Sequence, residues 1–307
     1  MPRPAVIAPG NHDGVHLGHR ALIRTARAYA GAHGLETCAL TFDPHPAAVI
    51  DASRSKAMLT RQPRRAQLLR AAGADRVHVQ NFTPEFAALS PEAFVDALIE
   101  QGARALVVGP DFRFGSGRAG DVALLERLGR ERGFAALIEP PVLLDAERVS
   151  SSAIREALRA GDIPHANRML GRAHEIAGRV VRGDQRGRSL GFPTANLDPE
   201  PVLPPLDGVY AVLVRELRAD ETFGPSYQGV ANLGTRPTFA AGRSLEIHLF
   251  DFDRDIYGAL LRVAFMGRVR GEMRFSGIEE LRAQIARDCE RARELIDHSP
   301  AEWRACL

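Results

Sequence analysis

Apolar residues follow two rhythms along this chain, and one gives way to the other a little past its middle. In the first part, "PAVIA", "ETCALTFD", "ADRVHV", "RALVVG" and "FAALIE" are short apolar runs with the length and composition of buried strands. Between them, "GHRALIRTARAYAGAHG", "PRRAQLLRAAG", "SPEAFVDALIEQG" and "GDVALLERLGRERG" repeat apolar positions at helical spacing. In the third of these, Ser90 stands where a cap belongs, Pro91 at the first helical position and Gly102 at the end. Strand–helix alternation predicts a doubly wound parallel sheet covered by helices on both faces. Such sheets bind ligands beyond the carboxyl ends of their strands. The loops after "PAVIA" and "RALVVG" are therefore expected on one rim.

Beyond residue 170 the runs shorten and Gly, Pro and Asp separate them: "HEIAGRVVRGD", "DGVYAVLVREL", "YQGVANLG", "SLEIHLFDFD", "ALLRVAFMGRVR". This texture predicts a small antiparallel β-barrel. A last amphipathic segment, "GIEELRAQIARDCERARELI", predicts a terminal helix with Ile278, Leu281, Ile285 and Cys289 as its apolar stripe. The expected fold class is thus α/β plus β. The domains are 1–170 and 171–307, with the boundary near "AGDIPHANRMLGRAH".

Composition narrows the chemistry. Among 307 residues the formal net charge is +2, which gives no general attraction to nucleic acid or membrane. Lys56 is the only lysine, so a G-x-x-x-x-G-K phosphate loop is absent. Phosphate handling must fall to arginine, histidine, backbone N–H groups and metal. Cys38, Cys289 and Cys306 are widely spaced and make no disulfide framework or zinc pattern, which predicts a reduced, cytoplasmic protein. No apolar run has the length of a signal or a membrane helix.

The loop after the first strand reads "GNHDGVHLGH". His16 and His19 sit at i and i+3 where it enters a helix, with Asp13 and His12 beside them. Three readings stay open: a metal site, a glycine-rich turn with surface histidines, or a phosphate cradle. The cradle would use the helix N-terminus, with Gly10, Asn11 and Gly18 letting an anion approach the backbone. The imidazoles would then donate to oxygens that gain charge in transfer. Later, "VSSSAIREAL" sets Ser150, Ser151 and Ser152 before a helix with Arg155 in its first turn, either an ordinary cap or a second anion-facing end.

In the β half, 178–197 reads "GRVVRGDQRGRSLGFPTANL". Gly183, Arg186 and Gly191 belong to a stretch that can wrap phosphate with N–H groups and guanidinium forks, or can be a plain hairpin. If "PTAN" is extended, Thr194 and Asn196 face one way and offer two oxygens suited to a hard cation such as Mg2+. In "LEIHLFDFDRDIYG", alternation puts Leu245, Ile247 and Leu249 on one face and Glu246, His248 and Phe250 on the other.

H-x-G-H after the first strand, with "SSSAIR" later, resembles the HxGH nucleotidylyltransferase superfamily. "TFDPHP" and "VGPDFRFGSGRAGD" narrow the resemblance to the FMN adenylyltransferase half of the bacterial bifunctional riboflavin kinase/FAD synthetases. It extends from about Ala5 to Ala292. What it implies is ATP-dependent phosphorylation of riboflavin to FMN in the barrel, then adenylyl transfer from ATP to FMN in the first domain. By the same resemblance His16 and His19 meet the ATP phosphates, and Arg155 and the serines neutralise the other side. Asp111 and Phe112 lie near flavin or adenine, with Phe114 packing beside them; Asp121 is either a site or a turn residue. Glu246 is the base for the ribityl hydroxyl, Mg2+ lies near Thr194 and Asn196, and Glu272 and Phe275 lie near the flavin.

Two departures stand out. His12 replaces the family's usual Phe, which predicts retained but altered adenylyl transfer, or, as the alternative, a kinase whose transferase is impaired. Arg254 stands where the family commonly has glycine; if φ is positive there, it costs about 1 kcal/mol. A non-catalytic flavin- or nucleic-acid-binding regulator is the third reading, opposed by near-neutral charge and 6% aromatics.

Overall fold

The strand β1 (Ala5–Pro9) is buried along its whole length because it lies in the middle of a parallel sheet. It pairs with β2 (Glu36–Asp43) on one side and β4 (Ala103–Val108) on the other. With β3 (Arg76–Asn81) and β5 (Ala135–Ile138), the order is β3-β2-β1-β4-β5, which reverses at β1. The computed structural model describes residues 2–51, 53, 57–183, 187, 190–218, 223–235 and 243–305. It divides into two compact units, Met1–Ser151 and Ser152–Leu307.

Alternate residues of the sheet face opposite helix layers. Ala5, Ile7, Leu40 and Leu106 pack with Phe94, Val95 and Leu98 of α5 (Pro91–Glu100) and with Leu125 and Leu128 of α6 (Val122–Arg132). Val6, Ala8, Ala105 and Val107 pack on the other side, against Ile23, Ala26 and Ala30 of α1 (Leu17–His33) and Leu69 of α3 (Arg64–Ala71). Short helices α2 (Pro46–Ile50) and α4 (Pro84–Ala87) fill the connections, and a two-stranded ribbon, β6 (Leu143–Leu144) and β7 (Glu147–Arg148), precedes α7 (Ser151–Ala160). The expected cap at Ser90 is present, its Oγ accepting from the Ala93 N–H at 3.1 Å, and Gly34 closes α1 at φ 66°.

In the second unit, β8 (His174–Val181), β9 (Ala195–Pro199), β10 (Gly208–Leu217), β11 (Phe223–Thr235), β12 (Arg243–Leu249) and β13 (Leu260–Arg270) close a barrel in the order β10-β11-β12-β9-β8-β13. Tyr210, Val212, Leu245, Ile247, Val263 and Phe265 are fully buried, as inward positions of closed strands should be. Their alternates Val209, Ala211 and Leu213 pack outside the barrel, under Ala292 and Ile296 of the terminal helix α9 (Ile278–Asp297).

Two expectations change here. The segment expected to be a boundary contains a helix, α8 (Ile163–Leu170), capped by Asp162 and opened by its proline. Asn167 fastens α8 to the barrel, donating from Nδ2 to the Phe265 carbonyl at 2.9 Å and accepting the His174 N–H at 2.7 Å. The stripe of α9 also starts later than its pattern suggests. Ile278 is 67% exposed, while Asp288, Ala292 and Ile296 are buried, because only the later turns lie on the barrel.

Candidate active sites

The loop from β1 to α1 turns through backbone conformations that side chains rarely adopt: His12 at φ 49°, Gly14 at 85° and Val15 at 42°. The turn is clamped from outside. Asp13 is buried, and its carboxylate accepts the Leu59 N–H at 2.9 and 3.1 Å and the Thr60 N–H at 3.0 Å. Its backbone carbonyl accepts from Ser151 Oγ at 2.9 Å, which ties the serine stretch to this loop. The buried Arg65 donates from Nη2 to the Phe42 carbonyl at 2.9 Å and from Nη1 to the Asn11 carbonyl at 3.4 Å, and Thr41 Oγ1 reaches the same Asn11 oxygen at 3.0 Å. The backbone carrying Asn11 is thus held at the ends of β1 and β2. Neither Arg65 nor the clamp made by Asp13 is foreseen by the sequence pattern. Both act across more than forty residues, where no local spacing can signal them.

On this clamped turn sit three imidazoles. His16 caps α1, its Nδ1 accepting the His19 N–H at 3.4 Å, which in the neutral ring leaves the proton on Nε2. The His16 and His19 rings stack at 3.7 Å and 21°. His12 meets His19 edge-on. Space is tight on two sides: a Cβ at Gly10 would lie 3.2 Å from the His12 ring, and one at Gly18 would lie 3.1 Å from the His16 ring. The polar addition at His12 is fully buried. Its Nε2 lies 3.0 Å from the Ala8 carbonyl and its Nδ1 has no hydrogen-bond partner among the described residues. Burial lowers its pKa to about 4, with Arg65 adding to the fall. The metal reading has no support in this geometry: among the described residues no three His, Cys, Asp or Glu side chains converge as a metal site.

Around the same rim, Asp111 is an exposed residue in an ion pair with Arg148. Phe112 is half-buried and stacks at 5.4 Å on the buried Phe114. Asp121 takes its plainer reading, capping α6 by accepting the Leu124 N–H at 2.9 Å. Ser150 is half-buried and Ser152 exposed at the start of α7; Arg155 is buried on that helix in the second unit.

In the barrel, register brings the sequence candidates together. Glu246 on β12 lies directly opposite Asn196 on β9 and opposite Asn232 on β11, so all three project from one face. Asn232 is in turn paired with Val209, which places the row on the barrel's outer side. Asn196 is buried, and its Oδ1 has no partner among the described residues. Gly183 makes the room: a Cβ there would fall 2.3 Å from the Asn196 Nδ2. Gly191 stands at φ 86°, which suits glycine. Arg186 lies outside the described residues. His248, two positions from Glu246, approaches the Pro193 carbonyl with Nδ1 at 2.8 Å and so fixes the chain just before Thr194.

Thr194 itself lines a cavity of about 500 Å³ that residues 252–257, including Phe252, Arg254 and Tyr257, also line. Arg254 does not have a positive φ; Asp251 at 54° and Gly258 at 81° take the left-handed positions of this turn, so the expected strain is absent. Elsewhere, Glu272 Oε1 lies where a Cβ on Gly234 would come within 2.8 Å. Phe275 lies under the Arg270 guanidinium at 5.7 Å, and Arg270 grips Asp288 of α9 through Nε and Nη2 at 2.8–3.0 Å.

Comparison with known proteins follows this division. Residues 1–153 match the FAD synthetase family and residues 170–296 the riboflavin kinase family. The bifunctional riboflavin kinase/FMN adenylyltransferase of Escherichia coli (strain K12) is 40% identical over 95% of this chain and 92% of its own. Those of Haemophilus influenzae and Bacillus subtilis are 39% and 37% identical, each over 94% of this chain and 93% and 91% of their own. A crystal structure described as a macrolide-efflux protein from Streptococcus pneumoniae superposes with a TM-score of 0.86 at 29% identity, covering 95% of each chain. Among the described residues no helix is long and apolar enough to cross a membrane.

A parallel-sheet nucleotidyltransferase region and a closed kinase barrel on one chain define a flavin-nucleotide enzyme with two transferase activities. The chain belongs to the family of bifunctional riboflavin kinase/FMN adenylyltransferases. Riboflavin, FMN and ATP are its substrates, and both activities, not the kinase alone, are those of its relatives.

Proposed function

We propose that the row Asn196–Glu246–Asn232 is the kinase centre and that the histidine turn is the adenylyl-transfer centre, within domains 1–170 and 171–307. The nucleophile of the first reaction is a neutral alcohol, the ribityl 5′-OH, which must lose a proton as the phosphoryl group arrives. Glu246 takes that proton. Thr194 Oγ1 and Asn196 Oδ1 would hold Mg2+, and the buried Oδ1, without a partner among the described residues, fits an oxygen-seeking cation in the space left by Gly183. When bound, the ion neutralises charge on the ATP phosphates. Gly183, Arg186 and Gly191 belong to the stretch that wraps those phosphates, and Glu272 and Phe275 border the flavin.

The second reaction needs no base, because the FMN phosphate is already an anion when it attacks the α-phosphorus of ATP and pyrophosphate leaves. Its burden is electrostatic. The His16 Nε2–H, the His19 ring and the N-terminal N–H groups of α1 donate to phosphate oxygens over Gly10, Asn11 and Gly18. Ser150, Ser151, Ser152 and Arg155 take the opposite charge, and Asp111 and Phe112 border the flavin or adenine. The free thiols Cys38 and Cys289 suit a reducing cytoplasm.

The single observation carrying the kinase assignment is the register that sets Glu246 beside Asn196. The test supplies riboflavin, or separately FMN, with ATP and Mg2+ and follows FMN and FAD by chromatography. Glu246→Gln should stop FMN formation yet leave FAD formation from supplied FMN intact; His19→Ala should do the reverse. Equal kinase rates for Glu246→Gln and the parent would remove the base.

A further inference from the structure

The cavity beside Thr194 has walls of two kinds. Val180, Ile247, Leu249 and Ile256 are apolar, and Thr194, Asp253, Arg254 and Asp255 are polar. Arg254 is held unusually for an exposed arginine. Its guanidinium lies over Phe252 at 5.1 Å and over Tyr227 at 5.8 Å, and Nη2 donates to the Tyr227 hydroxyl at 2.8 Å. Two aspartates flank it in sequence, but among the described residues neither pairs with it. Asp255 Oδ1 instead accepts the Tyr257 N–H at 2.9 Å. Among the described residues Nε and Nη1 donate to no protein acceptor, which leaves them available to a ligand. A guanidinium already stacked on aromatic faces has lost most of its rotamer freedom, so a further hydrogen bond costs little ordering.

We propose that Arg254 is a specificity-determining residue for the phosphoryl donor, its free N–H groups donating to the acceptor edge of the purine–ribose end of the nucleotide. The inference rests on the reading of this cavity as the donor pocket of the kinase reaction. With the phosphates drawn to Thr194, the apolar lining receives the base, and Arg254, which lines the same cavity, meets the purine–ribose end. A contact to the purine–ribose end does not touch the reacting phosphorus and is made equally in ground and transition states, so it lowers KM for ATP and leaves kcat alone.

Initial rates of riboflavin phosphorylation by the full chain test this. Arg254→Ala should raise KM for ATP about tenfold with kcat and KM for riboflavin unchanged, the size of one hydrogen-bonded charged contact. Arg254→Lys, which keeps the charge but not the fork, should recover only part of the loss. Adenosine, used as a competitive inhibitor, should weaken in parallel with ADP. Adenosine inhibition unchanged while ADP weakens would move the contact to the phosphates and overturn the proposal, as would an unchanged KM for ATP. Ile256→Trp, which fills the cavity, separates the two levels: if it leaves KM for ATP unaltered, the pocket reading itself fails. If it raises KM while Arg254→Ala does not, only this inference fails. FAD formation from supplied FMN, normal in every variant, reports that the chain is folded.

Discussion

The imidazole of His12 stands edge-on to that of His19, ring centres 5.0 Å apart and planes at 78°. An aromatic ring at residue 12 therefore supports the imidazole proposed to meet phosphate, and imidazole fills that steric role. What it adds is a buried lone pair on Nδ1 with no partner among the described residues. His12→Phe removes that atom but also abandons the hydrogen bond to the Ala8 carbonyl. The two effects are each on the order of 1 kcal/mol at neutral pH and oppose one another. FAD formation should rise severalfold while stability near pH 7.5 shifts by no more than about 1 kcal/mol. Rates with FMN and ATP and a thermal melt check both.

Acid should separate the variants much further. His12 in the first unit and His174 in the second are both fully buried, with pKa lowered to about 4 from 6.5 chiefly by burial. Between those values the unfolded chain binds a proton that the folded chain does not. Stability is therefore complete above pH 6.5, falls as pH drops through the window, and stops falling near 4. At pH 5 each histidine should have removed about 2 kcal/mol from its own unit. Melts at pH 7.5 and 5 should show this, with His12→Phe abolishing the first unit's share and His174 still acting on the second. An acid shift unchanged by His12→Phe would refute the assignment.

Gly183→Ala should injure the kinase alone. Its Cβ has no room beside Asn196, so the amide must turn away. Activation by Mg2+ in riboflavin phosphorylation should weaken roughly 10- to 100-fold. FAD formation from supplied FMN should stay at the parent rate. Titrating Mg2+ in both assays reads the contrast directly.

Asp13→Ala should behave as loss of a structural clamp, not of a metal ligand. It leaves the buried Leu59 and Thr60 N–H groups without an acceptor and costs about 3 kcal/mol. FAD formation should fall with stability, and raising Mg2+ or adding Mn2+ should not restore it. Recovery by metal would contradict the clamp.

These residues also mark how far the sequence could be read. Strand–helix alternation, the cap at Ser90 and the outward face of Glu246 rest on neighbours a few positions apart, and all appear in the structure. Helix α8 stayed hidden because a proline and two flanking glycines look like a linker, although that proline sits where it opens a helix. Ile278 misled for the opposite reason: the helical period is right, but the barrel surface ends before it. Asp13 meeting Leu59, Arg65 meeting Asn11 and His248 meeting Pro193 depend on which distant strands the fold brings together, and spacing holds no record of that.

The pairing of β12 with β9 has a wider consequence. A slide of one position along that pair would turn Glu246 into the sealed interior and push Ile247 out to water. The error would remove the proposed base and expose a core residue at once. A misthreaded molecule would therefore be less stable as well as without its proposed base, so the burial of Ile247 alone selects the register that the proposed chemistry needs.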